Sequence, residues 1–395
     1  MKKATRQQTK AHNTRLILKT VYDQGQISRA DVSRLTGLTR TTVSDIVSEL
    51  IKDGLVDEVG HGPSAGGKPP ILLSVVEDSR HLIGIDLASG EFRGAVTNLR
   101  GKIKHRVCVP IDDQDGETAL NRVYELIEQL IEKRADSVLG VGIGTPGLVN
   151  AQQRVVLNAV NLDWRNLPLG KLLEERFHLP IYIANDCQVA ALAECTFGGC
   201  KKVSNLVLIN IGHGVGAGIV LNRKVYFGDG FGAGEIGHIV VVEDGEPCRC
   251  GHRGCLETVI CSRSLVRRVR QMAQDDPTCF IHHLIDTPDK IEFDTVLQAF
   301  QAGDQAVCDL VCQAGIYLGD AIASLVGALN IHCVVIAGEI SRFGEKLVQV
   351  IRQQVDRKAL TPLVSQTQIK TTTLGSDIVL LGAASLLLSR TLGIV

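Results

Sequence analysis

The stretch that decides the fold is Glu235-Ile-Gly-His238, followed by Cys248-Arg-Cys-Gly-His-Arg-Gly-Cys-Leu-Glu257. The three cysteines fall in one short loop, whose glycines permit the tight backbone of a metal knuckle. Together with the histidine they predict a closed, tetrahedral Zn²⁺ site of structural type, because no ligand position is left for water. The predicted ligands are His238, Cys248, Cys250 and Cys255. His252 or Cys261 is an alternative fourth ligand, and ordinary reduced cysteines are the alternative to a metal site.

The composition is that of a large globular chain. The 395 residues are 45% hydrophobic and 22% charged, which excludes a disordered or collagen-like protein. At about 150 residues per domain, this length predicts two or three domains. No secretory pattern is visible at the N-terminus, and twelve cysteines without an export signal indicate a reducing compartment. We therefore expect a cytoplasmic protein with no membrane partner.

Charge is distributed unevenly along the chain. The total is nearly balanced, with 42 Lys and Arg against 43 Asp and Glu, which by itself argues against a nucleic-acid partner. Residues 1–76, however, hold 11 basic against 7 acidic side chains, a net of +4, so residues 77–395 carry −5. A basic arm on an acidic body predicts a DNA-binding module joined to a larger sensor or enzyme.

Three short helices are predicted in the basic arm. The first has an apolar face and ends before a glycine. The second begins at the capping residue Ser28, points Ala30, Val32 and Leu35 inward, and stops at the next glycine. Thr39 then caps a third helix with apolar residues at helical spacing. Two helices joined by a tight turn, the second with a polar leading end, indicate a helix-turn-helix.

The start of the third helix is the predicted reader of DNA base edges. Arg40 is placed to donate to guanine, Asp45 to accept from the cytosine N4 amino group, and the hydroxyls to contact phosphate or thymine methyl groups. The predicted DNA-contacting residues of this helix are Arg40, Thr41, Thr42, Ser44 and Asp45. A solvated polar helix face is the alternative interpretation.

A hairpin is predicted after the third helix, from the patterns of residues 55–60 and 71–76. The loop between them is rich in glycine and proline, and its Lys68 is predicted to enter a minor groove. An interdomain linker that begins early is the alternative. A winged helix-turn-helix fits residues 9–76 best, so we predict a DNA-binding domain over 1–76.

From residue 81 onward strands and helices alternate, which is typical of an α/β fold. Two strand-leading blocks with glycine turns, 82–100 and 206–227, form a weak internal duplication. Two similar lobes around a cleft would follow. The C-terminal run 377–390 has the spacing of a core helix.

The segment from Gly237 to Glu257 resembles the signature of the ROK family of repressors, open reading frames and kinases. The resemblance covers the whole chain, including Gly144-Thr-Pro-Gly147, Asn185-Asp186 and the glycine-rich run 212–218. It implies an actin-like, sugar-kinase-type domain of two lobes over residues 77–395. The implied bounds are about 81–198 plus 376–395 for lobe one, about 199–375 for lobe two, and 238–257 for the zinc loop.

The resemblance also implies a sugar in the cleft between the lobes. The residues that match the family's sugar-binding set are Asn185, Asp186, Glu235, His238 and Glu257. Carboxylates, an amide and an imidazole supply the acceptors and donors that a ring of sugar hydroxyls requires. Zinc on one nitrogen of His238 would orient the ring so that the other nitrogen meets a hydroxyl. Without the family match, Asn185-Asp186 would be interpreted as a simple turn after a strand.

The chain departs from the kinase members of the family at three loops. In those kinases Asp186 would be the general base, with the nucleotide held by backbone amides and metal. The first phosphate loop, usually Asp-x-Gly-Gly-Thr, is Asp86-Leu-Ala-Ser-Gly90 here, and the second, usually Gly-Thr-Gly, is Gly212-His-Gly214. The nucleoside turn, commonly Gly-Gly, is Ala337-Gly338-Glu339 here, and its carboxylate would be a poor neighbour for ATP. We therefore predict a regulator with no catalytic residues.

Taken together, these patterns predict a sugar-responsive transcriptional repressor of carbohydrate-metabolism genes, released from operator DNA by a sugar or sugar phosphate. It would act as a homodimer or homotetramer on a palindromic operator. One alternative is an ATP-dependent sugar kinase with a DNA-binding arm. Another is an activator or co-regulator controlled by a phosphotransferase protein.

Overall fold

The structure, a computed structural model, describes residues 5–63, 68–88, 90–111, 114–133, 137–285 and 287–394. The chain divides into two compact units. Unit 1 falls within residues 1–146, 151–184 and 383–395, and unit 2 within 147–150 and 185–382. This division places the helix after residue 185 in unit 2, whereas the sequence assigned it to lobe one; the bounds 1–76, 77–395 and those of the lobes stay predictions.

A winged helix-turn-helix, which we call the reader, opens unit 1. Its elements are α1 (Arg6–Gln24), β1 (Ile27–Ser28), α2 (Arg29–Thr36), α3 (Arg40–Lys52), β2 (Val56–His61) and β3 (Ile71–Val75). Ser28 caps α2 as predicted, accepting from the Asp31 amide at 3.2 Å and donating to the Asp31 carboxylate at 2.8 Å. The predicted hairpin strands pair antiparallel, and β1 adds a third strand in the order β1-β3-β2.

One prediction about α2 is wrong. Val32 is buried as expected, but Ala30 is exposed and Leu35 is 59% exposed. The reason is the phase of this eight-residue helix, whose buried and half-buried side runs through residues 29, 32, 33 and 36. A helix this short offers too few apolar positions to define its inward side from the sequence.

The reader packs directly against the rest of unit 1. The hydroxyl of Tyr22 on α1 is buried and donates to Leu99 O at 2.8 Å. The Arg100 guanidinium lies 4.1 Å from the Tyr22 ring centroid and donates to Tyr22 O at 2.8 Å. From the same helix, Lys19 Nζ donates to Ile394 O at 2.7 Å. These contacts fix α1 to the turn at residues 99–100 and to the C-terminal tail of unit 1.

A five-stranded sheet forms the core of unit 1. The elements that follow the reader along the chain are β4 (His81–Asp86), β5 (Glu91–Asn98), β6 (Ile103–Pro110), α4 (Gly116–Glu132), β7 (Val138–Thr145), β8 (Leu148–Asn150), β9 (Val155–Ala159), β10 (Trp164–Leu167), α5 (Leu169–Phe177) and β11 (Ile181–Asn185). Of these, β8 belongs to unit 2. The sheet order is β11-β7-β4-β5-β6, with β4 antiparallel to β5 and parallel to β7. The helix α4 packs its buried aliphatic side against β5 and β6.

Unit 2 repeats this arrangement. Its elements are α6 (Asp186–Thr196), β12 (Leu206–Ile211), β13 (Val215–Leu221), β14 (Lys224–Val225), α7 (Leu256–Ile260), α8 (Ser262–Asp275), α9 (Phe293–Ala302), α10 (Gln305–Leu329), β15 (Cys333–Ala337), α11 (Glu345–Lys358), α12 (Thr361–Val364), β16 (Gln368–Thr371) and the start of α13 (Ile378–Leu387). The sheet order is β14-β13-β12-β15-β16, again with an antiparallel hairpin beside a parallel strand. This shared topology accounts for the duplicated pattern in the sequence.

Two helical segments, Gln305–Leu329 and Gly375–Leu392, are long and apolar enough to span a membrane. More than half of each is buried within the fold, as in the core helices of globular domains. Their apolar composition is accounted for by packing, as we predicted for the C-terminal run.

Candidate functional site

The predicted zinc ligands come together in unit 2. The ligand atoms of His238, Cys248, Cys250 and Cys255 all lie within 4.8 Å of one another. The Cys248 Sγ to His238 Nδ1 distance is 3.5 Å, and that from Cys250 Sγ to Cys255 Sγ is 3.6 Å. A cluster of this composition and size can hold a metal ion. We call residues 238–257 the metal loop.

Local backbone contacts give the metal loop its shape. His238 ends a 3₁₀ turn, Ile236–His238, and Cys255 is the N-cap of α7, so both ligands lie at helix ends. Cys248 N donates to His252 O at 2.8 Å, closing the knuckle. Gly254 has φ +69°, and a Cβ there would lie 1.7 Å from a backbone oxygen. Only glycine fits that position, which explains the glycine just before the last cysteine.

The two alternative fourth ligands, His252 and Cys261, are not part of this four-residue cluster. His252 Nδ1 is 3.4 Å from Cys250 Sγ but is not in the group whose atoms are mutually within 4.8 Å. Cys261 is buried at the N-cap of α8. The arrangement of the described residues therefore favours His238 over both.

The thiols of the metal loop differ in environment. Cys250 is exposed, and a hydrogen bond from the His252 backbone lowers its pKa to about 6. Burial raises the pKa of Cys248. A dication would favour the thiolate at every sulfur, because metal binding displaces the proton.

The helix α6 positions the first two predicted sugar-binding residues. Asn185 is its N-cap, with Oδ1 accepting from Cys187 N at 2.9 Å and Gln188 N at 3.3 Å. Asn185 Nδ2 donates to Gly147 O at 3.1 Å. Asp186 occupies the first helical turn and is half-buried, with Oδ1 accepting from Cys187 N at 2.8 Å. An anionic group is favoured at this helix end.

The other predicted residues come from the segments around the metal loop. His238 Nε2 lies 3.9 Å from Glu235 Oε2, on the opposite edge of the ring from the nitrogen that faces Cys248. Burial raises the pKa of Glu235, which the imidazole of His238 lowers and the carboxylate of Glu257 raises. Glu257 Oε2 accepts from Val215 N at 3.0 Å. Glu235 therefore interacts electrostatically with both His238 and Glu257.

A buried cysteine connects the two groups of residues. Burial raises the pKa of Cys187 well above its usual value, and the nearby carboxylates of Asp186 and Glu235 add to this effect. The Asn210 side chain hydrogen-bonds the same thiol and lowers its pKa. We call Asn185, Asp186, Glu235, His238 and Glu257 the acceptor set; all five belong to unit 2.

Sequence reasoning missed the residues that support the acceptor set. The Cys187 thiol interacts with the carboxylates of Asp186 and Glu235 and with the Asn210 side chain. The backbone amide of Val215 donates to Glu257. Gly214 leaves room for the Glu257 carboxylate: a Cβ there would lie 2.8 Å from Glu257 Oε2 and would displace it. The glycine in the predicted second phosphate loop is the signal that could have revealed this close approach.

Two of the three loops that depart from the kinase pattern contain a carboxylate, Asp86 in the first and Glu339 in the third. In unit 1, Arg93 Nη2 lies 2.5 Å from Asp86 Oδ2; Ser89 of that loop lies outside the described residues. In unit 2, Glu339 Oε2 lies 3.9 Å from the position of a Cβ on Gly212. Among the described residues, no hydrogen-bond donor reaches that buried oxygen.

The predicted DNA-contacting residues lie on the reader. Arg40, Thr41, Ser44 and Asp45 are exposed along the first turns of α3. Thr42 is half-buried, and its hydroxyl bonds that of the capping residue Thr39 at 2.9 Å. Lys68 is exposed in the loop between β2 and β3; residues 64–67 of this loop lie outside the described part of the chain.

Comparison with known proteins gives two family matches. The ROK family profile matches residues 82–390, and the winged helix-turn-helix DNA-binding profile matches residues 11–57. The chain is 32% identical to the xylose repressor of Caldicellulosiruptor bescii over 95% of both chains. A ROK family transcriptional regulator, a homologue of the E. coli MLC protein, superposes with a TM-score of 0.85 at 29% identity, covering 98% of both chains.

A kinase is also similar in structure. The ROK family glucokinase of Streptomyces griseus, solved with glucose and AMPPNP, superposes with a TM-score of 0.71 at 30% identity. The match covers 78% of this chain and 98% of the kinase. About a fifth of this chain therefore has no counterpart in the superposition.

Proposed function

The chain belongs to the ROK family, and on that premise we propose that it is a sugar-responsive DNA-binding repressor of carbohydrate-metabolism genes. One observation carries the proposal: the same chain holds a complete winged helix-turn-helix and a set of sugar-type donors and acceptors. The first has an exposed polar leading end on α3. In such a regulator, binding of the sugar changes the affinity of the winged helix-turn-helix for DNA.

We propose that the acceptor set binds a sugar or sugar phosphate. Three carboxylates, Asp186, Glu235 and Glu257, accept from hydroxyls, and the imidazole of His238 donates. Asn185 Oδ1 accepts from two amides of α6 and Nδ2 donates to Gly147 O, so we assign the second N–H of its amide to a sugar oxygen. A bound sugar must favour one conformation of the protein over another, because equal affinity for both would shift nothing.

We propose that the metal loop holds a structural Zn²⁺ through His238, Cys248, Cys250 and Cys255. The donor set fits zinc, since three thiolates and one imidazole complete a tetrahedron. When bound, the ion supplies charge that keeps the thiols deprotonated and fixes the loop. Ligation through His238 Nδ1 leaves Nε2 protonated, so the ring presents a donor on the side of Glu235.

The phosphate loops support a regulator rather than an enzyme. Asp86 is paired with Arg93, so its charge is already neutralised by a side chain instead of a metal–nucleotide complex. The Glu339 carboxylate beside Gly212 would repel a phosphate. The second candidate function, a sugar kinase, is favoured by the likeness to the glucokinase and by Asp186 in the position of a base. Measurable ATP turnover with a hexose or pentose, abolished by Asp186→Asn, would establish it.

The partners and location follow from the same proposal. Operator DNA is the macromolecular partner, and a palindromic site requires a homodimer or homotetramer. Two of the similar proteins are a bacterial xylose repressor and a ROK family transcriptional regulator, which supports a cytoplasmic location and no membrane partner.

The deciding experiment measures DNA binding in the presence of sugars. An operator is first selected from a random DNA pool by the purified zinc-loaded protein, and its affinity is then measured by fluorescence anisotropy at fixed salt. Xylose, glucose, N-acetylglucosamine and their phosphates are added in turn, and we expect one of them to weaken binding at least about tenfold, or 1.4 kcal/mol. No DNA affinity even at low salt would refute the proposal.

A further inference from the structure

Two buried thiols in unit 2 face each other away from the metal loop. Cys200 Sγ and Cys333 Sγ lie 3.6 Å apart, and the residues are 0% and 6% exposed. Cys200 follows α6, whereas Cys333 begins β15, 133 positions further along the chain. We propose that these two cysteines are an oxidation site that forms a reversible disulfide. The disulfide does not depend on the proposed DNA or sugar binding; only the chelator readout of its test rests on the proposed zinc site.

The backbone on the Cys200 side is held by a buried carboxylate. Glu194, which is 1% exposed, accepts from Gly199 N at 3.1 Å through Oε2 and from the Thr372 hydroxyl through Oε1. Cys200 N donates to Glu194 O at 3.2 Å. On the other side, Cys333 is held in the sheet by its parallel register with Gln368. Both thiols are therefore fixed at contact distance, and the bond requires the sulfurs to close to about 2.05 Å.

The two sulfurs have different chemical roles. A hydrogen bond from the Cys333 thiol, helped by the nearby ammonium of Lys370, lowers the pKa of Cys200 to about 7. The same hydrogen bond raises the pKa of Cys333. Lys370 Nζ lies 3.5 Å from the position of a Cβ on Gly199, so the ammonium is next to this loop. Cys200 is the nucleophile, because the thiolate and not the thiol reacts with oxidants.

The oxidant we name is hydrogen peroxide, which is small enough to enter a packed interior. The Cys200 thiolate attacks one peroxide oxygen, the O–O bond breaks, hydroxide leaves, and Cys200 becomes a sulfenic acid. The Cys333 sulfur then attacks the Cys200 sulfur, the S–O bond breaks, and the departing hydroxide takes the Cys333 proton as water. The hydroxide from the first step takes up the proton that Cys200 lost on ionising, so overall two thiols lose two electrons and one peroxide becomes two waters. A dithiol reductant reverses the step.

The bond would close a loop around most of the functional residues of unit 2. The segment between Cys200 and Cys333 contains the metal loop together with Glu235. A cross-link over so long a segment restricts the unfolded chain more than a short one does. The oxidised protein should therefore resist unfolding when zinc is removed by a chelator.

The test uses the full-length, zinc-loaded protein. It is treated with a small excess of hydrogen peroxide, quenched with N-ethylmaleimide in denaturant, and digested for peptide mapping without reductant. We expect a linked peptide pair containing Cys200 and Cys333, which disappears after dithiothreitol, and a higher midpoint of thermal unfolding in chelator. The proposal would be overturned if Cys200 or Cys333 formed a disulfide with a different cysteine. It would also be overturned if both stayed reduced while other cysteines were oxidised.

Variants separate the site from general oxidation. Cys200→Ser and Cys333→Ser should each abolish the linked pair and the shift in midpoint, whereas Cys312→Ser, at a half-buried thiol on α10, should preserve both. Cys195 is the next nearest thiol, so the trapping experiment uses Cys333→Ser combined with Cys195→Ser; there the Cys200 sulfenic acid should persist and be labelled by dimedone. Labelling of Cys333 in Cys200→Ser at the same rate would contradict the assigned roles.

Discussion

The reader and the acceptor set are built in opposite ways. The reader presents exposed side chains from successive positions of a single helix, α3, and local caps at Ser28 and Thr39 set its geometry. The acceptor set takes its members from positions 185 to 257, and they are brought together by the fold of unit 2. A helix face survives substitution of one member, whereas a site assembled from separate segments depends on every support.

The strongest test of this difference is removal of one metal ligand. Cys250→Ser should lower the zinc content from one ion per chain to near zero and destabilise unit 2 by more than about 3 kcal/mol, since binding energy of a structural ion is folding energy. Sugar binding should be lost with it. Zinc analysis and denaturant unfolding measure the effect, and Cys308→Ser is the control at a half-buried thiol outside the metal loop. Unchanged zinc and stability in Cys250→Ser would refute the metal site.

A milder change within the acceptor set should separate ligand binding from folding. Asp186→Asn keeps the shape of the side chain but removes a charged acceptor, which is worth about 1.5–3 kcal/mol, or roughly ten- to hundredfold in sugar affinity. DNA binding without sugar should be retained. Calorimetry with the effector sugar measures the loss, and Asp356→Asn at an exposed position of α11 is the control. Equal sugar affinity in both variants would remove Asp186 from the site.

On the reader, single substitutions should weaken DNA binding without disturbing the sugar site. Arg40→Ala should cost about 1–3 kcal/mol and relax the preference at one base pair. Lys68→Ala should weaken binding most on sites with an A·T-rich minor groove, where the negative potential is concentrated, and should reduce the salt slope by about one. Lys52→Ala, exposed at the C-terminal end of α3, is the matched control. Anisotropy against the operator and single-base variants distinguishes these outcomes. A uniform loss in Arg40→Ala would make it a phosphate contact instead.

The smallest effect concerns the contact that joins the reader to the strands of unit 1. Tyr22→Phe removes the hydrogen bond to Leu99 O and should cost about 1 kcal/mol in urea unfolding near neutral pH. Burial raises the pKa of Tyr22 to about 12, so the folded state favours the protonated phenol. This contribution is present below pH 10 and is lost as the pH rises toward 12, because the unfolded chain ionises first. The stability of wild type should therefore fall more steeply between pH 10 and 12 than that of Tyr22→Phe.

The metal loop and the helical reader were predictable because their determinants are local. His238 and the three cysteines lie within 18 positions of one another, and the caps of α2 and α3 precede the apolar runs that they start. The outward side of Leu35 was not predictable, because the helix that carries it is too short to define a phase. Cys187, Asn210 and the Val215 amide were missed for another reason: their proximity to the carboxylates exists only in the folded chain.

The close packing of the reader has a consequence for how two copies would share one operator. Val76 N donates to Leu55 O and Leu99 N to Glu77 O, so ordered backbone leads from the wing into the strands of unit 1. A reader on a flexible tether would find its second half-site at an effective concentration set by tether length. In this protein the reader is fixed to unit 1, so the orientation of unit 1 determines whether the second reader reaches its half-site. Inserting about five base pairs between half-sites turns one to the opposite face of the duplex and should abolish the avidity of a dimer.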